Sequence, residues 1–395
     1  MRKIVRNLVA GTGVLALTLS AGTASYAGGY HVTKPTLTGW ASLPAGTFVA
    51  GSEPSGALVT GNLNGFTAPF ADQPIQGFSG IADNGDGTFD VLSDNGYGNQ
   101  ANSGDFLLRV QRLAPVFRSN TVDVLGGINL TDPNNKVSWK LTRSDRVLTG
   151  ADFDPESIVR ASDGSYWIGE EFGPYLLHFD RSGRLLEAPH ALDGVIAPET
   201  AARLGVTATA RSSKGFEGMA QSPDGRYLYP LLEGTVTGDP AGSLRLNQFD
   251  LRTKQYTGKR WTYQLDNPDF AIGDAIAVSP DRFLVIERDN GQGATAVVKK
   301  IYEATAQRDG TLRKKLIVDL MNISNPRKLG GFGTTFTFPF QTIEDVVILD
   351  DRTIAVLNDN NFPFSTGRSA TAADNNEWIT IALPSSLRVD RRVLR

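Results

Sequence analysis

The chain has 395 residues, among them 42 Gly, 20 Pro, three His and no Cys. Such a length exceeds one small core, a hydrophobic content of 40% excludes wholesale disorder, and the lack of cysteine excludes disulfide and thiolate chemistry. A formal net charge of −3 disfavours a nucleic-acid partner, and His31, His178 and His190 are too few for a His-rich zinc site.

The first predicted element is a leader. Arg2, Lys3 and Arg6 form a basic start, residues 7–21 an apolar run, and Ser25 and Ala27 stand at the small-residue positions of a cleavage site. This pattern predicts a secretory signal peptide over 1–27. The apolar run falls short of the ~20 residues that a membrane-spanning helix needs. Cleavage predicts a secreted chain over 28–395, one domain, with no membrane contact. The leader takes three positive charges with it, so the net charge moves from −3 to −6.

Five segments then repeat one pattern. They are GFSGIADNGDGTFDVLSDNG (77–96), DPESIVRASDGSYWIGEEFG (154–173), GFEGMAQSPDGRYLYPLLEG (215–234), IGDAIAVSPDRFLVIERDNG (272–291) and TIEDVVILDDRTIAVLNDNN (342–361). Near the start of each stands Ser79, Glu156, Glu217, Asp274 or Glu344, followed by an aliphatic stretch. A turn follows at Asp86, Asp163, Asp224, Asp281 or Asp351, then an alternating β-run, then an acidic or amidic end. Two β-rich runs around an Asp-Gly-type turn predict a β-hairpin, which returns the two acid ends to the same edge of a sheet. The spacing between hairpins leaves room for two more strands each, as in Phe106–Val110 and Ser243–Phe249. A four-stranded sheet repeated radially is a β-propeller blade. The expected fold is therefore an all-β propeller of four-stranded antiparallel blades around a central acidic channel. Six blades are expected, with five or seven open; the chain ends around Trp40 and Trp378 would join to make the sixth. A sandwich with coincidental turns is the competing fold.

If every hairpin turns its acid end inward, Glu156, Glu171, Glu217, Glu233, Asp274, Glu287, Glu344 and Asp359 share one funnel. Carboxylates packed so closely raise one another's pKa unless cations intervene. Arg288 and Lys214 lie within the repeats but are too few to neutralise all of them. Oxygen-rich sets of this kind select hard cations, Ca²⁺ first. The expected metal ligands are Glu156, Glu171, Glu217, Asp274, Glu287, Glu344 and Asp359, with neutral oxygens from Asn95, Asn290, Asn358 and Asn360. For any single acid, an ion pair or backbone hydrogen bond is the commoner role; for the set, at least one ion is expected. Glu156 or Glu217 is the candidate general base. Arg288 suits a phosphate or developing oxyanion, an ion pair with Glu287 or Asp289 being equally expected, and Lys214 joins it for substrate binding. The Asp83–Gly87 run fails EF-hand spacing and reads as a hairpin turn. Gly77-Phe78-Ser79-Gly80 is not a nucleophile elbow. The Phe-rich stretch 330–340 reads as buried sheet ahead of a loop over the funnel.

The same segments resemble a known family. GFSGIA, DPESIV with GEEFGPYLLHFDRSGRLL, GFEGMAQSPDGRYLY, LVIERDNGQG and EDVVILDDRTIAVLNDNNF, in this order over roughly residues 75–385, are similar to the phytase-like, or "esterase-like activity of phytase", proteins. The resemblance implies a secreted bacterial β-propeller with an acidic funnel and a hydrolytic activity on esters, including phosphate esters. The scarcity of Lys and Arg at the repeat ends argues against a substrate as polyanionic as phytate. The expected function is a Ca²⁺-dependent hydrolase of phosphate or carboxylic esters, acting as a monomer on a small molecule. A lactonase-like Ca²⁺ propeller and a non-catalytic binding propeller with a structural ion are the alternatives.

Overall fold

The computed structural model describes residues 32–394, so the leader read above lies outside the described residues. In chain order the strands are β1 (Thr36–Leu43), β2 (Phe48–Val49), β3 (Gln73–Pro74), β4 (Phe78–Asp83), β5 (Phe89–Ser93), β6 (Arg109–Val116) and β7 (Thr121–Asn129). Then come β8 (Pro155–Arg160), β9 (Tyr166–Glu170), β10 (Tyr175–Phe179), β11 (His190–Ala191) and the one-helix interruption α1 (Pro198–Leu204). The chain continues with β12 (Phe216–Gln221), β13 (Tyr227–Leu232), β14 (Ser243–Asp250), β15 (Gln255–Gln264), β16 (Ala271–Ser279), β17 (Arg282–Arg288), β18 (Lys299–Ala306) and β19 (Leu312–Asp319). It closes with β20 (Ile323–Ser324), β21 (Thr335–Phe336), β22 (Thr342–Asp350), β23 (Thr353–Asp359) and β24 (Asn376–Ala382).

These strands form antiparallel units of four: β4 to β7, β8 to β11, β12 to β15, β16 to β19, and β22–β23–β24 with β1; a short parallel contact of β1 with β7, Ser42↔Thr121, joins the last unit to the first in one sheet. Each predicted hairpin supplies the first two strands of one unit. Its turn is held by the predicted aspartate where the sequence is Asp-Gly: Asp86, Asp163 and Asp224 each accept the N–H two residues on, at 2.9–3.1 Å. The first strands pack side by side in a closed ring, β4 on β8, β8 on β12, β12 on β16, β16 on β22 and β22 on β4. With neighbours on both sides they are buried almost throughout, which is why their sequences are short apolar runs without alternation.

The apolar cores follow the ring. One cluster lies between each adjacent pair of units; that between the fourth and fifth holds Ile286, Ile301, Val346, Ile354 and Ile379. The others join first to second, third to fourth, fifth to first, and second to third. The N-terminal β1 pairs antiparallel with β24 from Thr36↔Ala382 to Leu43↔Asn376. The two ends of the described chain thus share one sheet, which latches the ring and leaves it few exposed edges.

The chain ends meet as expected, but they complete the unit of the fifth hairpin. The described residues form five units, the count left open beside six: β1 is one strand, and β22 to β24 already supply the other three. The Phe-rich stretch is loop with two strand residues, Thr335 and Phe336, and only its second half is interior. Phe336, Phe338 and Phe340 are fully buried in the core between fourth and fifth units. Arg368, paired with Glu377 at 2.7 Å, lies 4.6–5.1 Å from the ring centroids of Phe332, Phe336 and Phe340.

Candidate active site at the acidic axis

A β-bulge recurs near the start of every first strand. The pairing slips between Phe78 and Ile81, Pro155 and Ser157, Phe216 and Gly218, Ile272 and Asp274, and Ile343 and Asp345. The extra residue is Glu156, Glu217, Gly273 or Glu344 in the last four units, and in the first the pair Ser79-Gly80 stands against one partner residue. A bulge kinks its strand and re-aims that side chain. Across the hairpin, the matching position at the end of the second strand is Asp94, Glu171, Glu233, Arg288 or Asp359. Two tiers of five positions therefore face one axis, and seven of the ten are carboxylates. Asp154, just before β8, adds an eighth.

These groups meet. Asp154, Glu156 and Glu171 present oxygens within 4.8 Å of one another, as do Glu171, Glu217 and Glu233. Ser79 donates to Glu344 at 3.0 Å. Asp154 lies in hydrogen-bonding reach of Glu156, and Glu217 of Glu344; such a carboxyl–carboxyl contact needs a shared proton or a cation between the two. Burial, then the charges of Asp154 and Glu217, push Glu156 well above the usual carboxylate range. Burial and Glu233 do the same to Glu171 and Glu217, and burial with Asp94 and Glu344 to Asp359. Asp94 is pushed up to about 8 by burial and by Asp154.

Two cations oppose this charge. Arg288 Nη2 lies 3.2 Å from Glu344, 3.3 Å from Glu233 and 3.6 Å from Glu217, and its side chain is only 5% exposed. Burial opposes its charge, but the three carboxylates outweigh that and raise its pKa. Lys214 pairs with Glu233 and keeps 36% of its side chain exposed. Among the described residues neither cation pairs with Glu156. Further along the same strands Ile81, Met219, Ile276 and Val347 help line a cavity of about 370 Å³, together with Arg160, Gln221 and, near the C-terminus, Val393 and Leu394.

Of the residues named from sequence, Glu156, Glu171, Glu217, Glu344, Asp359, Arg288 and Lys214 come together here. Asp274 and Glu287 do not. Asp274 stands one residue past the bulge and accepts from Ala275 N–H at 2.7 Å and from Val346 N–H of the next unit at 2.9 Å, a stitch between first strands. Counting back from the turn aspartate misleads here, because Asp281 lies one residue deeper in its turn than Asp351. The true equivalent, Gly273, has no room for a carboxylate, since a Cβ there would meet Ile343 O at 1.9 Å. Glu287 sits one residue before the axial position and points outward. It accepts from Tyr263 OH at 2.7 Å, Asp266 N–H at 2.7 Å and Lys314 at 2.6 Å. Asn95 and Asn358 spend their oxygens on backbone N–H groups, of Gly98 at 2.8 Å and Glu377 at 2.7 Å. Asn360 receives Gly77 N–H at 3.4 Å, and Asn290 bonds Arg288 at 3.1 Å. Asp154 and Asp94 were missed as site residues. Asp154 opens the DPES segment two residues before Glu156, and Asp94 holds the hairpin-end position of Glu171. His178 is elsewhere, stacked on Trp167 at 4.1 Å and bonded to Glu187 at 2.9 Å.

Fold and site together define a propeller-like all-β ring with a buried acidic axis. Residues 73–362 match the phytase-like family, described as esterase-like activity of phytase, and the chain belongs to that family. A stretch of 105 residues, 22% of this chain, is 30% identical to an uncharacterized secreted protein of Arthroderma benhamiae. The match spans only 20% of that relative's length. Among solved structures, a GH43 β-1,3-galactosidase is similar at a TM-score of 0.44, with 9% identity over 79% of this chain and 59% of that one. A luciferin-regenerating enzyme gives 0.38, with 11% identity over 81% and 82%.

Proposed function

We propose that this protein is a secreted five-bladed β-propeller that hydrolyses phosphate or carboxylic esters at its acidic axis with bound Ca²⁺. The observation that carries the reading is the imbalance at the axis: eight converging carboxyl groups against Arg288 and Lys214, with Glu156 facing carboxyls only. Family membership and the secreted relative support a hydrolytic, exported protein.

The donor set fits the ion. It is all oxygen, anionic and clustered, the chemistry that hard divalent cations select. Asp154, Glu156 and Glu171 would hold it, with Glu217 and Glu233 on the other side of the shared Glu171. When bound, the ion supplies the charge that polarises a phosphoryl or carbonyl oxygen. Glu217 takes the proton from the attacking water; burial and the charge of Glu233 raise its pKa, which makes its ionised form a stronger base. Arg288 holds Glu217, Glu233 and Glu344 in place. That is a positioning role in addition to the oxyanion role expected of it. Lys214, the exposed cation, draws the substrate's oxygens to the mouth.

The test is turnover of chromogenic phosphate monoesters, diesters and carboxylic esters by the mature chain. The reading expects hydrolysis with Ca²⁺, its loss on chelation, and its loss in Glu217→Gln with thermal unfolding preserved. Inactivity on all three panels at saturating Ca²⁺ would overturn it, and activity on a lactone panel alone would move it to the lactonase-like alternative.

A further inference from the structure

The axis holds two groups of three carboxyls: Asp154, Glu156 and Glu171, then Glu171, Glu217 and Glu233, joined through Glu171. The two groups have the same chemistry and differ in what already faces them. We infer that the first group alone takes a divalent ion, and that Lys214, with Arg288, fills the second in place of another ion; the inference rests on the metal reading proposed above.

In the first group Glu156 decides the matter. It is only 8% exposed, and the hydrogen-bonding contact of its carboxyl is the carboxyl of Asp154. Asp154 accepts Asn95 N–H at 3.2 Å, and Glu171 accepts Gly215 N–H at 2.7 Å. The backbone thus fixes two members of the group, while the third meets no side-chain cation among the described residues. A buried carboxylate is stable when it is paired or when it coordinates a metal, and the first of these is missing here.

The second group already holds cations. Lys214 pairs with Glu233, and Arg288 Nη2 lies 3.3 Å from Glu233 and 3.6 Å from Glu217. Burial opposes the charge of Lys214, and Glu233, Glu171 and Glu217, in that order, outweigh it. Those three are the members of the group. An ammonium has three donors and no acceptor, which suits three carboxyls. Lysine and arginine together bring two positive charges, as one divalent ion would. The seat of the lysine is built into the backbone. Lys214 immediately precedes Gly215, whose N–H holds Glu171, and its carbonyl accepts Gly234 N–H at 3.3 Å. Gly234 follows Glu233, and a Cβ there would meet Lys214 Cβ at 2.6 Å, so the glycine leaves the space that the lysine stem occupies. An ion in the second group would take up oxygens of Glu217. The lysine keeps them for the proton that Glu217 accepts as base.

Calorimetric titration of the chelator-stripped mature chain with Ca²⁺ tests this by stoichiometry, without requiring turnover. The parent should bind one ion per chain. Lys214→Met, which removes the charge and keeps the bulk of the stem, should bind two. Lys214→Arg should bind one, and adding Glu217→Gln to Lys214→Met should return the count to one. Two ions in the parent, or one ion in Lys214→Met with an intact thermal transition, would overturn the inference and leave the ion of the proposed function in place. Should Lys214→Met not fold, the parent's count still decides: one ion supports the inference and two overturn it. No binding by the parent or by either lysine variant would remove the inference and the metal reading together.

Discussion

Arg288 occupies in its own unit the place that Glu171 and Glu233 hold in theirs, and its guanidinium reaches Glu344 of the following unit at 3.2 Å. One basic residue in a tier of acids ties together carboxylates of the units on either side of it: Glu217 and Glu233 of the third and Glu344 of the fifth. The ring's electrical balance hangs on that residue and on Lys214.

Replacing Arg288 by methionine should therefore destabilise the chain by about 3–5 kcal/mol, the usual cost of stranding buried charge. The lysine variant should recover part of it. Chemical denaturation of both, read as midpoint at constant slope, checks the order.

Stability without metal should depend on pH in a direction opposite to that of ordinary carboxylates. Glu156, Glu171, Glu217 and Asp359 sit well above the usual range and Asp94 at about 8, because burial and mutual repulsion favour the protonated form. The folded chain keeps protons that the unfolded chain releases near its ordinary carboxylate pKa. Their contribution is full below that value and is lost as pH rises through the folded values. Chelated protein should thus melt at a lower temperature at pH 8 than at pH 5.5, and Ca²⁺ should flatten the slope. A melting temperature that climbs steadily over this window in chelator would contradict the axis as described.

Glu156→Gln and Glu287→Gln should separate axial acids from structural ones. The first replaces a carboxyl that burial and its acidic neighbours keep protonated with a neutral group of the same shape, so chelated protein should change by less than about 1 kcal/mol while losing its response to Ca²⁺. The second leaves Lys314 without its buried partner and should cost about 3 kcal/mol, with the Ca²⁺ response intact. Thermal melts of both, with and without Ca²⁺, give the comparison.

Gly273→Ala should fail to fold or lose several kcal/mol, about 3 or more. The added carbon would meet backbone, Ile343 O at 1.9 Å, where no flexible side chain can give way. Expression yield and circular dichroism of this variant decide it.

The hairpins were legible because a turn aspartate and an alternating strand are local signals, and five of them recur. Inward aim was legible at Glu156, Glu171, Glu217 and Glu344 for the same reason. What the repeats hid was register. A bulge inserts one residue without changing composition, so Asp274 looked like its neighbours while the backbone put Gly273 in their place. Glu287 was hidden by parity: adjacent strand residues face opposite ways, and only pairing tells which of Glu287 and Arg288 looks inward. Nor could counting hairpins show that the chain ends fill the fifth unit, since that depends on β1 pairing with β24 across some 340 residues of chain.

The central claim is that a divalent cation completes the axis, and direct binding tests it most plainly. Chelator-stripped protein titrated calorimetrically with Ca²⁺, in parallel with Glu156→Gln, should show saturable binding in the parent and its loss in the variant. At about a hundredfold excess over the dissociation constant the parent should gain ~2.7 kcal/mol of stability, seen as a melting shift of several degrees. No heat and no shift at millimolar Ca²⁺, or equal binding by Glu156→Gln, would contradict the account.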